Sequence, residues 1–194
     1  NALKTDPKYS DALRELKLSQ EKLTKADTLA ILPFKNATGQ APMDWLSVGI
    51  AEAMTTDLKK LTGIFLVERM AIEKALQEMK LASVGLVDEK TAPQIGKMVG
   101  AGIVLIGSYQ AVGKAVRIDM RMVDVESSQI LLTEKESGDI DKIFEAEEKL
   151  AMRVAKTLNV PMTKEEVAKL KDKPDIESFK RYVMAHTTLA IAPA

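Results

Sequence analysis

The residues best placed to bind a ligand or a partner follow two short apolar runs, residues 29–32 and 64–67. In open α/β sheets the carboxyl ends of parallel strands meet at one edge, where ligands bind in a crevice. Polar and charged side chains follow each run, and aromatic side chains stand beside them in the sequence. The predicted crevice for a small ligand or a protein partner is lined by Phe34, Lys35, Asn36, Trp45, Glu68 and Arg69.

The same residues also have structural explanations. Glu68 and Arg69 can cap a helix and form an ion pair. Trp45, the sole tryptophan, can pack beside Phe34 at the start of a helix. The loop after Pro33 holds no nucleophile beside a base, no metal-binding cluster and no phosphate-binding glycine pattern. We therefore expect no catalytic residue, no metal site and no cofactor.

The glycines between residues 96 and 107 (GKMVGAGIVLIG) suggest a nucleotide-binding loop, but their order is wrong for one. A dinucleotide-binding loop follows a strand and opens a helix, because the helix N-terminus binds the phosphates. These glycines follow a predicted helix and open a predicted strand. We interpret them as the stop of that helix and the start of that strand.

The remaining candidates for acid–base or metal chemistry are a lone histidine and several carboxylates. His186 has no cysteine or second histidine beside it, so neither a histidine-based zinc site nor a Ser-His-Asp triad is supported. Asp119 lies between two arginines on a predicted strand, where cross-strand ion pairing explains it. Asp124 and Glu126 flank a predicted turn, in which acidic residues are common.

The composition argues against several partner classes. The 194 residues carry 28 basic and 28 acidic side chains. The basic excess of a typical nucleic-acid-binding domain is therefore missing, and we expect no nucleic-acid partner. No apolar run approaches the ~18 residues that a membrane helix needs. The absence of cysteine fits either the cytoplasm or the cell envelope.

Periodicity predicts an α/β domain over residues 26–160. Three nearly continuous apolar strands alternate with amphipathic helices, which is typical of a parallel sheet with right-handed crossovers and both faces covered. Asp44 and Asp88 are the predicted N-caps of two of these helices. The predicted strands are 29–32, 64–67 and 103–109, and the predicted helices are 44–61, 70–81, 88–99 and 141–158.

A change of period follows the third strand. Apolar and polar residues alternate from 116 to 124, which predicts a strand that is buried on one face only. Turn residues on both sides of it indicate an antiparallel meander of strands three to five. The predicted fold is thus α/β, a mixed sheet of about five strands with packed helices and flanking helices.

Short motifs occur in order along residues 27–160. They are 29–36 (LAILPFKN), 49–52 (GIAE), 66–69 (LVER), 95–97 (IGK), 100–101 (GA), 106–108 (IGS), 116–118 (VRI) and 123–126 (VDVE). Together these motifs resemble the CsgG family, which is named for the curli-secretion component and is close to the TolB N-terminal-like and FlgO domains. Ser128 stands where this family commonly has glycine. The resemblance implies a non-catalytic interaction domain of a bacterial cell-envelope protein, whose partners are other envelope proteins or a second copy.

The curli channel inserts long membrane-spanning hairpins, whereas the connections at 111–115 and 125–130 are short in this sequence. A spanning strand needs ~9–11 alternating residues, so we expect no pore, no membrane insertion and a monomer or small oligomer. The alternative is a small-ligand-binding domain that uses the predicted crevice.

The flanks of the domain resemble parts of tetratricopeptide repeats. Residues 1–25 predict one helix with a narrow apolar stripe, and residues 161–194 predict a charged linker followed by a C-terminal helix. The sequence starts without Met, so we expect it to be a piece of a longer chain. The expected location is the periplasm, or the outer membrane through a missing N-terminal region.

Overall fold

Six strands and six helices make up the part of the chain that the structure, a computed structural model, describes: residues 28–81 and 87–191. The strands are β1 (Thr28–Ile31), β2 (Lys35–Asn36), β3 (Phe65–Leu66), β4 (Ile103–Val112), β5 (Ala115–Asp124) and β6 (Ile130–Asp139). The helices are α1 (Trp45–Lys59), α2 (Arg69–Glu78), α3 (Ala92–Val99), α4 (Ile143–Thr157), α5 (Lys164–Leu170) and α6 (Ile176–Ile191). The predicted helix at residues 1–25 lies outside the described residues.

The sheet has the strand order β3-β1-β4-β5-β6. β1 pairs in parallel with β3 and β4, and β4, β5 and β6 form an antiparallel meander. The predicted mixed sheet with parallel crossovers and a final meander is confirmed. One strand more than expected is present, because two residues of the predicted loop form β2 and pair in parallel with the second half of β4.

Two hydrophobic cores lie on opposite faces of the sheet. Leu29 and Ile31 of β1 belong to the core formed with α1, α4, α5 and α6, whereas Ala30 and Leu32 belong to the core formed with α2 and α3. Successive side chains of a strand point to opposite faces. An unbroken apolar run therefore supplies both cores, which is why β1 and the first half of β4 carry no alternation.

β5 shows the alternation that the sequence predicted. Val116, Ile118 and Met120 are buried in the core beneath α1 and α4, while Arg117 and Arg121 on the opposite face are exposed. The helices α2 and α3 cover that face over β1, the first half of β4 and the end of β5, where Val123 is buried. They leave the part of β5 around Arg117 and Arg121 exposed.

The interpretation of these glycines as a helix stop and a strand start holds for Gly100, whereas Gly96 and Gly107 lie inside the helix and the strand, as the predicted bounds 88–99 and 103–109 placed them. Gly100 has φ +72° and ends α3. Gly96 lies inside α3, and a Cβ there would overlap Val125 of the neighbouring core. Gly107 lies inside β4, where a Cβ would overlap the ring of Phe34. Both glycines permit close contact between elements and do not end one.

The third predicted helix starts later than expected. α3 begins at Ala92, and the carboxylate of Asp88 accepts hydrogen bonds from the N–H groups of Lys90 and Thr91 in the turn before it, at 3.0 and 2.9 Å. Asp88 therefore organises a turn rather than capping the helix directly.

The C-terminal segment packs against the domain. The predicted charged linker contains α5, whose first turn is closed by a capping box between Thr163 and Glu166. Leu170 of α5 and Val183 of α6 are fully buried in the core with α1 and α4. The predicted boundary at residue 160 therefore runs through a continuous core.

Candidate interaction surface

The structure buries the two aromatic residues of the predicted crevice. Phe34 is fully buried, its ring lies over Gly107, and its N–H donates to the carbonyl of Ser47 at 2.9 Å. Trp45 is 7% exposed, with Lys180 Nζ 5.7 Å from the centre of its ring. Both rings therefore contribute mainly to the core.

Asn36 closes the loop between β2 and α1. Its Nδ2 donates to Asp44 Oδ1 at 2.7 Å and to the carbonyl of Gln40 at 3.1 Å, and its Oδ1 accepts from the N–H of Thr38 at 2.9 Å. Asp44, the predicted N-cap of α1, makes no side-chain hydrogen bond to the helix. Its carboxylate accepts from Asn36 instead, and Thr38 Oγ1 of the same loop accepts from the N–H of Ala111 in β4 at 2.7 Å.

Arg69 joins two carboxylates from α1 and α2. Its Nη1 lies 3.0 Å from Glu52 Oε1 and its Nε lies 2.5 Å from Glu73 Oε1, so Arg69 forms ion pairs with these two residues. Burial lowers the pKa of Arg69, but hydrogen bonds and charge from Glu73 and Glu52 outweigh burial and raise it. Glu68 makes no side-chain cap to α2 and lies 3.6 Å from Lys59 Nζ.

The space beside Arg69 is small. The cavity that Arg69 lines together with Glu52 and Glu73 has a volume of about 40 Å³. Typical small-molecule pockets measure ~300–1,000 Å³. The ends of β1 and β3 thus enclose an ion-pair network with little room for a further molecule.

Lys35 differs from the other five residues because it belongs to an exposed row that crosses four strands. Lys35 of β2 is paired with Ser108 of β4, Ser108 with Asp119 of β5, and Asp119 with Lys135 of β6. Directly opposite residues point to the same side of a sheet. With strands ~4.8 Å apart, the two lysines at the ends of the row are separated by ~14 Å of sheet.

Two arginines flank the row. Arg117 Nη2 lies 2.7 Å from Asp119 Oδ1, and Arg117 Nε donates to Asp119 Oδ2 at 3.0 Å. The predicted cross-strand partner of Asp119 is wrong, because residues two apart on one strand share a face and Arg117 is the nearer cation. The hydrogen bond and charge of Asp119 raise the pKa of Arg117. Arg121 Nη1 lies 2.5 Å from Glu89 Oε1 on the rim.

These residues form one surface, which we call the open face. It encloses a depression of about 340 Å³ whose rim carries Asp88 and Glu89. The strands themselves contribute four basic side chains and one acidic side chain to it. Within residues 28–81 and 87–191, no group of three His, Asp or Glu side chains could hold a metal ion. The open face consists of Lys35, Ser108, Arg117, Asp119, Arg121, Thr133 and Lys135.

Sequence reasoning found part of this surface. The alternation in β5 placed Arg117, Asp119 and Arg121 on a solvent-exposed face. It missed Ser108 and Lys135, because their alignment with Lys35 depends on strand register and on the short β2.

The family model described as "Curli production assembly/transport component CsgG" matches residues 11–117, more than half of the chain. The chain belongs to the CsgG family. A curated relative, "Putative adenylate cyclase 3" of Rhizobium meliloti, is 24% identical over 164 residues, which are 84% of this chain and 26% of the relative. The chain therefore spans about a quarter of that relative's length.

Two solved structures with a similar fold are bacterial proteins. LpoB from E. coli is 22% identical with a TM-score of 0.49, over 57% of this chain and 55% of LpoB. Lipoprotein GNA1162 from Neisseria meningitidis is 16% identical with a TM-score of 0.48, over 69% of this chain and 94% of the lipoprotein. Among the described residues, no helix has the length and apolar character to cross a membrane.

Ser128, where the resemblance leads us to expect glycine, lies in the turn between β5 and β6 and has φ +59°. This left-handed conformation favours glycine. The backbone of Ser128 thus has a conformation that glycine adopts without strain.

Proposed function

We propose that this chain is a non-catalytic protein-interaction domain of a bacterial cell-envelope protein, and that it binds through the open face. Its partner is another envelope protein or a second copy of the chain, in the periplasm or at the outer membrane. Membership of a family named for an assembly and transport component supports this proposal.

The single observation that carries the proposal is the row of Lys35, Ser108, Asp119 and Lys135 on a part of the sheet that no described helix covers. Arg117 is paired with Asp119 and Arg121 with Glu89. In the described part of the chain, Lys35 and Lys135 have no salt-bridge partner. A partner that presents carboxylates and hydrogen-bonding groups would complete this surface.

The alternative function, binding of a small ligand at the ends of β1 and β3, has weaker support. The cavity there is about 40 Å³ and its charged groups already bind one another. The depression of the open face is wider but shallow and charged, which suits a protein surface better than a mostly apolar ligand pocket.

A site-specific crosslinking experiment tests the proposal. A photo-reactive amino acid is introduced at Lys35 or Lys135 of the whole protein in its native host, and at Glu145 and Lys156 on the exposed side of α4 as controls. We expect the two open-face positions to give the same protein adduct and the two α4 positions to lack it. Adducts from α4 alone, or none from the open face, would refute the proposal.

A charge-reversal variant sharpens the experiment. The double substitution Lys35→Glu and Lys135→Glu leaves both arginine pairs in place and inverts the two unpaired cations. With the photo-reactive group at Ser137, which neighbours Lys135 on the same side of β6, the variant should lose the adduct. Lys156→Glu with Lys164→Glu, which inverts two exposed lysines of α4 and α5 that have no salt-bridge partner in the described part of the chain, should keep it.

A further inference from the structure

Three charged side chains meet beneath the segment that joins α5 to α6. Asp57 of α1 and Glu147 of α4 are each 1% exposed. Lys173 lies in the connecting residues 171–175, which we call the strap, and its ammonium forms an ion pair with Asp57. Lys60 reaches Asp57 from the other side, with its Nζ 3.3 Å from Asp57 Oδ1.

The strap contacts α1 through the charged side chains of Lys173, Asp57 and Lys60. Lys60 Nζ also donates to the carbonyls of Lys169 and Asp172, at 3.0 and 3.3 Å. The ammonium of Lys173 is largely buried, with 15% of its side chain exposed. A buried ion pair fixes geometry but adds little net stability, because removing both charges from water costs about as much as their attraction returns.

The carboxyl group of Glu147 lacks a hydrogen-bond partner for one of its two oxygens among the described residues. Its Oε2 is buried and has no hydrogen-bond partner among the described residues. Burial raises the pKa of Glu147 well above its ordinary value, the charge of Asp57 raises it further, and the charge of Lys173 only partly opposes this. Lys173 and Lys60 are both paired with Asp57, so an ionised Glu147 would be a buried charge whose Oε2 has no hydrogen-bond partner among the described residues.

The surface of α1 and α4 that contacts α6 is also incompletely packed. Phe179 meets Phe144 edge to face with ring centres 5.1 Å apart, and Val183 is fully buried. Beside them lies a cavity of about 230 Å³, which Asp57, Lys173 and Tyr182 also line. This pocket is partly open to solvent, so water reaches the side chains beside α6.

The interface between α6 and the rest of the domain therefore combines a buried ion pair of little net stability, a buried carboxyl oxygen without a partner among the described residues and a solvent-reachable pocket. Opening the strap and α6 would hydrate Glu147 and leave the sheet and its helices α1 to α4 in place. We propose that α6 is a releasable cover on α1 and α4, held by the cluster of Asp57, Glu147 and Lys173, and that release is coupled to loss of a proton from Glu147. This inference is independent of the open face.

The direction of the pH dependence follows from linkage. In the closed state Glu147 holds its proton, and in the open, hydrated state it regains an ordinary pKa of ~4.3. Opening above that pH therefore releases a proton. The opening constant then rises with pH, by at most ~tenfold per unit, up to the raised pKa of the closed state. Asp57 of α1 and Lys173 of the strap are the charged groups that face Glu147.

The chain carries its own probe for this opening. Trp45 is the sole tryptophan, is 7% exposed, and has Lys180 of α6 against its ring. Release of α6 should expose it to acrylamide quenching. Hydrogen exchange of α6 and β4 amides, corrected for intrinsic rates and measured from pH 5 to 9, separates release of α6 from global unfolding.

We expect α6 to exchange through a separate opening whose constant rises with pH, while β4 stays protected. Glu147→Gln should remove the pH dependence, and Glu145→Gln, on the exposed side of the same helix, should retain it. Lys173→Met should raise the opening constant ~tenfold or more, because it leaves Asp57 with fewer partners. The proposal would be overturned by equal protection of α6 and β4 from hydrogen exchange, or by an opening constant that does not vary with pH in the wild type. An opening constant that rises with pH as steeply in Glu147→Gln as in the wild type would also overturn it.

Discussion

The two faces of the sheet are built by the same strands but differ in what they meet. On the covered face, Val116, Ile118 and Met120 of β5 pack beneath α1 and α4. On the open face, Arg117 and Asp119 bind each other. Packing restricts the covered face to apolar residues of fitting volume, whereas stability places few demands on the open face. The open face can therefore carry charged residues at little cost to folding, as the proposed binding of a partner requires.

We expect the largest difference in stability between the two faces when a leucine is replaced by alanine. Leu170 of α5 is fully buried against the covered face. Leu170→Ala removes its transfer energy and leaves a cavity, so we expect a loss of ~3 kcal/mol in the free energy of unfolding by urea. This residue lies beyond residue 160, so the same measurement tests whether the C-terminal segment belongs to the folding unit.

The matched control is Leu131 of β6, which is 45% exposed. Leu131→Ala should change the free energy of unfolding by less than ~1 kcal/mol, because little apolar area leaves water at this position. If Leu170→Ala and Leu131→Ala lowered the free energy of unfolding equally, burial against the covered face would not explain the difference expected between the two positions.

The second prediction concerns a glycine where the covered face is most tightly packed. A Cβ at Gly107 would overlap the ring of Phe34 and lie 2.6 Å from the carbonyl oxygen of Asp119. Gly107→Ala should therefore cost ~2 kcal/mol, in the range of other overpacked cores. Gly138→Ala is the control, since nothing lies within 4 Å of its Cβ. Similar unfolding midpoints for both variants would show that Phe34 moves aside freely.

Local patterns predicted most of the fold. The apolar runs and the alternation from 116 to 124 predicted the mixed sheet and its meander, because burial imposes a period of two or none on a strand. The helix α5 was missed, although Thr163 and Glu166 form the capping-box spacing that predicts a helix start. Its charged composition favoured a linker, and only the tertiary contact of Leu170 with the core accounts for it.

The candidate surface was harder to predict than the fold. The residues after β1 and β3 were grouped because parallel strands end at one edge, yet Phe34 points into the core and Arg69 binds Glu52 and Glu73. Which side a residue faces after a strand ends depends on the loop, and the period of the strand does not specify it. The row from Lys35 to Lys135 depends on three pairing registers, none of which is readable from a single sequence.

The third prediction uses acid to test the attachment of α5. Glu166 accepts hydrogen bonds from the N–H groups of Thr163 and Thr62, both at 2.8 Å, and these bonds lower its pKa to about 2. A depressed carboxyl pKa contributes stability above the ordinary value of ~4.3, and that contribution is lost as the pH falls towards the lowered one. The urea midpoint of the wild type should therefore fall between pH 4.5 and pH 2.

Glu166→Gln keeps an acceptor at the helix start but cannot be ionised, so its urea midpoint should fall less over the same pH range. Glu165→Gln, at the neighbouring exposed position, should follow the wild type. An identical acid response in all three proteins would mean that Glu166 is not held by these two N–H groups in solution.

The smallest effect is expected in the turn between β5 and β6, which belongs to neither face. Ser128 has φ +59°, a conformation that costs an L-residue ~1 kcal/mol. Glycine avoids this cost but loses more backbone entropy on folding, so Ser128→Gly should stabilise the protein by only ~0.5 kcal/mol. Ser127→Gly should do the opposite, because Ser127 Oγ donates to Asp124 Oδ1 at 2.7 Å and its backbone needs no glycine. Urea unfolding of the two variants measures both signs, and stabilisation by Ser127→Gly or destabilisation by Ser128→Gly would show that the strain lies elsewhere in the turn.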